Sequence, residues 1–312
     1  MLWRAAIPVS IIMAMHDKPP SSSPTSDGLA DNTAMMSDAR LPDIDAPAFE
    51  QIGGDASAGL LLLCDHASNA VPEDYDRLGL GEAAFERHIA YDIGAAAVTR
   101  GLAARFGVPA VLSRFSRLLI DPNRALDDPT LLMRLSDGAV IPGNARVDAA
   151  ERQRRIDRFY RPYDDAVGAL IDAAMASGRI PVILSVHSFT PVWKGVPRRW
   201  QAGVLWDADP RFARPLIEGL AVDRLLTIGD NEPYHGALKG DTLYRHATRR
   251  GIAHALIEVR QDLIAEPDGV ADWVERIARA LDAMGLDRAP HGVMMHGSLT
   301  GPVEPLLGRY RP

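Results

Sequence analysis

The chain has 312 residues, 34 of them Lys or Arg and 41 Asp or Glu, for a formal charge of −7. With 47% hydrophobic residues it can bury a sizeable core, which excludes a mostly disordered chain, and its single cysteine, Cys64, excludes a disulfide framework or a four-cysteine zinc site. The acidic balance argues against nucleic acid as the main partner, and the lack of an unbroken apolar run of about 18 residues argues against a membrane-spanning helix.

Residues 1–15 carry one Arg and a short apolar run interrupted by Pro8, a faint likeness to an export signal without a clear cleavage site. Met13, Met15, Met35 and Met36 are alternative starts. Residues 16–47 are rich in Pro, Ser and Asp, too polar to offset the entropy of ordering, and are expected to be a disordered tail. We therefore read 1–50 as a disordered or misassigned extension and 51–312 as a single folded domain. Its first element, 59–64, is a continuous apolar run of the kind a strand buried on both faces shows. A helix follows over 82–106, with Phe85, Ile89, Ile93, Ala96 and Ala97 at helical spacing and Gly107 as its stop. Strands are predicted at 108–113 and 117–120, then a long helical region over 146–177 kinked at Pro162. The strongest strand signal is 180–186, followed by strands at 203–206, 225–228 and 255–259 and helices at 210–220 and 269–284. Strands alternating with helices predict an α/β fold: a mostly parallel mixed sheet flanked by helices on both faces, a three-layer αβα arrangement.

In such sheets ligands bind past the carboxyl ends of the strands. Polar clusters follow or close the apolar runs at Asp65-His66-Ala67-Ser68-Asn69, His187-Ser188, Asp207, Gly229–Glu232 and Glu258–Asp262, and they are expected to share one crevice. His66 and His187 each follow a buried strand, where a neutral imidazole either bonds to backbone or ligates zinc or another divalent cation. A catalytic zinc needs a third protein ligand: Asp92 is preferred, with Asn69 and His88 as competitors, and His88 and Asp92 share a helix face at i, i+4. Glu258, flanked by aliphatic residues, is expected to lose solvation and to serve as a general base, its alternative being a pair with Arg260. In 113–124 two guanidinium groups match carboxylate geometry: Asn123 and Arg124 as a clamp on a substrate carboxylate, Arg117 as the group that steadies an oxyanion. Ser68, Asn69 and Arg260 are added as substrate contacts, and Trp193, Trp206 and Tyr234 as pocket walls. No glycine-rich phosphate fingerprint and no GxSxG elbow occurs.

The strings CDHASNAVP (64–72), ERHIAYDIGA (86–95), SRLLIDPNR (116–124), SVHSFTP (185–191), VLWD (204–207), GDNEPY (229–234) and LIEVRQDLI (256–264) resemble the N-formylglutamate amidohydrolase family. That family is similar in fold to zinc carboxypeptidases and aspartoacylases. The resemblance spans 58–284 and implies a cytoplasmic, zinc-dependent hydrolase of an N-formyl amino acid, acting in histidine catabolism on a small-molecule substrate. It implies His66 and His187 as metal ligands, with Asp92 carried as the third, Glu258 as the proton shuttle, Asn123-Arg124 as the carboxylate clamp and Arg117 as the oxyanion arginine. HASN follows the first strand where HAGT-type sequences are expected, which leaves the acyl substrate open. A deacylase with a larger acyl pocket and a non-catalytic metal- or solute-binding module are the alternatives; the oligomeric state is not legible.

Overall fold

The computed structural model describes residues 47–306. The expected N-terminal extension lies, up to residue 46, outside the described residues. In chain order the elements are β1 (Phe49–Ile52), β2 (Leu60–Cys64), α1 (Ala95–Phe106), β3 (Ala110–Ser113), the hairpin β4–β5 (Leu135–Ser136 and Ala139–Val140), α2 (Pro142–Ala145), α3 (Ala149–Arg155), α4 (Arg161–Ala176), β6 (Val182–Phe189), the hairpin β7–β8 (Val192–Trp193 and Val196–Pro197), β9 (Ala202–Leu205), α5 (Pro210–Leu220), β10 (Ile228–Asp230), α6 (Thr242–His246), β11 (His254–Arg260) and α7 (Pro267–Met284).

Seven strands form one mixed sheet in the order β1-β3-β2-β6-β11-β9-β10. Its centre, β3-β2-β6-β11, is parallel. β1 joins one edge antiparallel, and β9 turns antiparallel to β11 with β10 parallel beside it. The period of two along each central strand divides the side chains between two layers. Leu60, Leu62, Leu184 and Ile257 pack on Val98 and Leu102 of α1, Phe212 and Leu216 of α5 and Ile277 of α7. Leu61, Leu63, Ile183 and Leu256 face α4, through Tyr163, Val167 and Ile171. This is the three-layer αβα arrangement that the alternating pattern predicts. Among the described residues no helix is long and apolar enough to cross a membrane.

Two departures from the sequence reading bear on the site, and one expected break is found. The helix expected over 82–106 begins only at Ala95; Gly94 before it is left-handed (φ 80°), and a Cβ there would stand 2.2 Å from the Ile264 carbonyl oxygen. Helical spacing over 85–93 reflects burial, and that stretch is instead tied to its surroundings: Asp92 N donates to His66 O at 3.0 Å and Arg117 N to Ala90 O at 3.2 Å. Residues 117–120 form no strand; Leu118, Leu119 and Ile120 are apolar because they are buried in turns, not paired in a ladder. The long helical region is interrupted where expected, by a π segment at Ile156–Tyr160 just before Pro162, whose missing N–H cannot continue the α ladder.

The antiparallel turn of β9 also corrects the single-crevice expectation. Leu205 lies opposite Leu256 and Ala202 opposite Val259, so β9 and β10 end at the pole away from the carboxyl end of β11. Asp207 there accepts from Leu299 N at 2.8 Å, and Asp230 from Trp206 Nε1 at 2.6 Å. The chain after β10 returns, with Asn231 Oδ1 accepting from Trp206 N and Gly236 N. Gly236 is needed there, since a Cβ would stand 2.2 Å from Trp206 N.

Candidate metal centre and active site

Following the α4-facing side chains toward the carboxyl ends of the strands leads from apolar to polar residues: Leu63 to Asp65, Ile183 to Ser185 and His187, Leu256 to Glu258. These polar ends converge. His187 Nδ1 is 2.8 Å from Asp92 Oδ2, His66 Nδ1 is 3.4 Å from the same oxygen, and the two imidazoles meet edge to face at 4.9 Å. One ligand atom from each of His66, Asp92 and His187 lies within 4.8 Å of the others, and all three residues are buried. Ser188 N donates to Asp92 Oδ2 at 3.3 Å and helps to fix the carboxylate.

Each histidine is backed by a carboxylate on its far nitrogen. His66 Nε2 meets Asp121 Oδ1 at 2.8 Å, and His187 Nε2 meets Asp65 Oδ2 at 3.2 Å. A neutral imidazole with its proton on Nε2 presents the Nδ1 lone pair to the centre, the arrangement in which histidines ligate metals. Two nitrogens and one carboxylate oxygen, each held from behind, fit a divalent cation with a position left open. Burial pulls the His187 imidazole down, but its bonds to Asp65 and Asp92 outweigh this and hold it well above its ordinary range. Burial pushes Asp92 up, and the two histidines reverse that, holding it far below the usual carboxylate range. The two shifts favour each other's charged form across the 2.8 Å contact between His187 Nδ1 and Asp92 Oδ2, where the three donor atoms converge.

The backing aspartates are anchored in turn. Asp65 is fully buried and accepts from Thr242 Oγ1 (2.6 Å), Tyr163 OH (2.9 Å) and Ser185 Oγ (3.1 Å). Asp121 accepts from Arg117 Nη2 (2.8 Å) and Asn123 N (2.9 Å); burial raises it, and Arg117 with His66 pulls it well below its ordinary value. Arg117 also reaches Asp92 Oδ1 at 3.4 Å. Glu258 Oε2, Arg117 Nε and Arg124 Nε are buried polar atoms without a hydrogen-bond partner. Burial pushes the Glu258 carboxyl up to about 7.

A cavity of about 380 Å³ opens onto these groups, lined by His66, Asp92, His187, Glu258, Arg117, Asn123 and Arg124 together with His88, Tyr234, His235, Asp241 and Gln261. The structure thus brings together all seven residues given a metal, catalytic or carboxylate-clamp role in the sequence, with Tyr234 in the wall as expected. Three others bond elsewhere and do not line the cavity: Ser68 Oγ accepts from Ala70 N, Asn69 Nδ2 donates to Phe85 O, and Arg260 spans Asp262 and the Arg198 carbonyl. His88 sits in the wall against Asp137 and the Trp193 ring, outside the donor group. Trp206 bonds to Asp230 rather than lining this cavity. Asp65, Asp121, Thr242, Tyr163 and Asp241 went unassigned in the sequence. For Asp65 and Asp121 a signal was there, since each closes a fully apolar run beside a chosen residue, where an ionised carboxylate needs buried partners.

By fold and site the chain falls among hydrolases of the amidohydrolase class. The model of the N-formylglutamate amidohydrolase family matches residues 58–265, and the chain belongs to that family. A gene product of Agrobacterium tumefaciens of known structure is 36% identical, with a TM-score of 0.71, covering 77% of this chain and 96% of its own. The N-formylglutamate amidohydrolase of Ralstonia eutropha JMP134 shares the fold at 22% identity and a TM-score of 0.58, covering 80% of this chain and 100% of its own. No curated protein matches the chain.

Proposed function

We propose that the protein hydrolyses the amide of an N-formyl amino acid, N-formylglutamate first among them, with zinc as the cation held by His66, Asp92 and His187. The observation that carries this reading is the Glu258 carboxyl, which is desolvated, has a free oxygen and faces the same cavity as the three donors. A cation bound there supplies Lewis acidity and lowers the pKa of water. The remaining chemistry belongs to the chain. Glu258, as carboxylate, takes a proton from the attacking water at Oε2 and passes it to the amide nitrogen, so that the C–N bond breaks to give formate and the free amino acid. Arg117, locked by Asp121 and Asp92, keeps its Nε–H unpaired for the oxygen that gains charge as the carbonyl is attacked. Asn123 is fixed by Thr242 N at Oδ1 (3.0 Å), which leaves Nδ2 with Arg124 to hold the substrate carboxylate and set the amide in place. The cytoplasm and histidine breakdown are the compartment and context of this reading.

Turnover of a panel of N-formyl and N-acetyl amino acids, before and after chelation, tests it. The expected result is formate release from N-formyl substrates, lost with a chelator and restored by zinc. Undiminished turnover by chelated, metal-free protein would remove the metal from the account, and no turnover of any member would remove the activity.

A further inference from the structure

Asp241 is a cavity residue that the reaction as described leaves without a task. It is 6% exposed and lines the wall next to the pair that clamps the carboxylate. The chain places it there firmly: the next residue, Thr242, donates its N–H to Asn123 Oδ1 at 3.0 Å, and Arg245 reaches both the Arg124 and Gly240 carbonyls, at 3.2 and 2.6 Å. One oxygen, Oδ1, accepts from Tyr244 N at 2.6 Å. The other has no hydrogen-bond partner among the described residues, and Arg245, the cation nearest along the chain, is turned away to Asp164. A buried ionised carboxylate with only this cap bond and no cation beside it is costly, and keeping the proton avoids that cost.

We propose that Asp241 completes the carboxylate subsite beside Asn123 and Arg124, where its outer oxygen, in the protonated form, donates a hydrogen bond to a substrate carboxylate. The inference rests on the N-formyl amino acid reading and deepens it by adding a residue that sets specificity. Ionised, the same group repels the carboxylate, so binding weakens when Asp241 loses its proton. Burial pushes its carboxyl up to about 7, with the Tyr244 N–H and the charge of Arg245 acting against the rise. The charge of Asp65 adds to the rise and that of His187 opposes it, and Arg124, His235 and Glu258 share the cavity. On its other side a small cleft brings Asp207 and His254 near. Of these, Glu258 is the other carboxyl pushed into the same range, so a test must silence it.

The test is calorimetric binding of N-formyl-L-glutamate to the full chain loaded with zinc, at pH 6 and pH 8.5. Glu258→Gln is compared with Glu258→Gln/Asp241→Asn. The first substitution stops turnover and removes the competing titration; the second keeps the bond from Tyr244 N and supplies an amide donor at every pH. In Glu258→Gln the dissociation constant should rise about 30-fold or more between the two pH values, as for a site that binds only with a group of pKa about 7, or lower beside zinc, protonated. In the double variant it should stay near its pH 6 value throughout. A rise of equal size in the double variant, or no rise in Glu258→Gln, overturns the proposal. If the wild-type enzyme fails to hydrolyse N-formyl-L-glutamate while the pH-dependent binding and its loss persist, the subsite stands and the hydrolase reading falls.

Discussion

Glu258 on β11 stands directly beside His187 on β6, position for position in the parallel ladder. The sheet itself therefore fixes the spacing between the proposed proton carrier and one of the two histidines proposed to hold the metal. Loops complete the set by bringing in Asp92, Arg117 and Arg124, but this central pair rides on rigid strands, as a site that needs close positioning requires.

Exchange of Glu258 for Gln keeps the shape and removes the base. The turnover number should fall about 10²- to 10⁴-fold, the usual range for a general base. Bound zinc, measured by elemental analysis, should stay at the wild-type level, because Glu258 is not one of the three donors. The carboxylate is the working form, so kcat of the wild type, which reports the bound enzyme, should climb with pH through an acidic limb, while kcat/KM falls again as Asp241 ionises and binding weakens. That limb lies at about 7 or lower, since a cation nearby favours ionisation. Full activity in the Gln variant would dismiss the residue as base.

Much of this was legible in the residues alone, for a physical reason. A polar residue that ends a wholly apolar strand has few places to go but the ligand crevice, and His66, His187 and Glu258 all obey that rule. The rule failed at Asp207 and Asp230, because strand direction is not written in hydrophobicity: β9 runs against β11, and the ends of β9 and β10 point away. Asp92 was placed through a helix that does not form; the residue is in the site, yet Gly94 and the bonds from 90–92 to His66 and Arg117 put it there. Asn69 and Arg260 had the right chemistry at the right ends, but each is spent on a local bond. Asp65 and Asp121 took no role in the sequence because the rings they back are remote along the chain: His66 lies 55 residues from Asp121, and His187 lies 122 from Asp65.

Those two aspartates should matter to the metal although neither is one of its donors. Asp65→Asn and Asp121→Asn replace a carboxylate behind a ligand histidine by an amide, which weakens the hold on the ring and its tautomer. Zinc affinity, measured by competition with a chromophoric chelator, should drop about 10- to 100-fold in each. Asp65→Ala should also lower stability by about 3–5 kcal/mol, the usual loss when one partner of a buried charged pair is removed. Unchanged zinc affinity in both Asn variants would show that the carboxylates serve folding alone.

Metal and proton compete for the same place, which gives stability a distinct pH signature. In the metal-free protein the raised His187 group contributes stability that is full below its ordinary value near 6.5 and is lost as pH rises through its elevated one. The depressed Asp92 and Asp121 groups contribute stability present above 3.8 and lost only as pH falls through their lowered values. From these groups the metal-free protein is most stable between about pH 4 and 6.5, and its melting temperature should decline above that window. Zinc binding releases the proton at His187, so the rise in melting temperature on adding zinc should be larger at pH 8 than at pH 6. Calorimetric scans with zinc or chelator at both values check the sign; a larger rise at pH 6 would contradict it.

Arg124 carries the remaining test, because it separates binding from chemistry. Its buried Nε lies 3.9 Å from Asp121 Oδ2 but makes no hydrogen bond, and the side chain faces the cavity with Asn123. Removal of a group that holds a carboxylate equally in the ground state and the transition state should raise KM and leave kcat nearly alone. Arg124→Gln removes the charge while keeping an amide donor, and loss of one charge-assisted hydrogen bond of about 1.5–3 kcal/mol corresponds to a KM roughly 10- to 100-fold higher. Arg117→Gln should do the opposite: its oxyanion contact forms only as the carbonyl is attacked, so kcat should fall with KM little changed. Steady-state kinetics of the two variants on one N-formyl amino acid read both effects. A fall in kcat for Arg124→Gln with KM unchanged would move that arginine from the carboxylate to the reacting carbonyl.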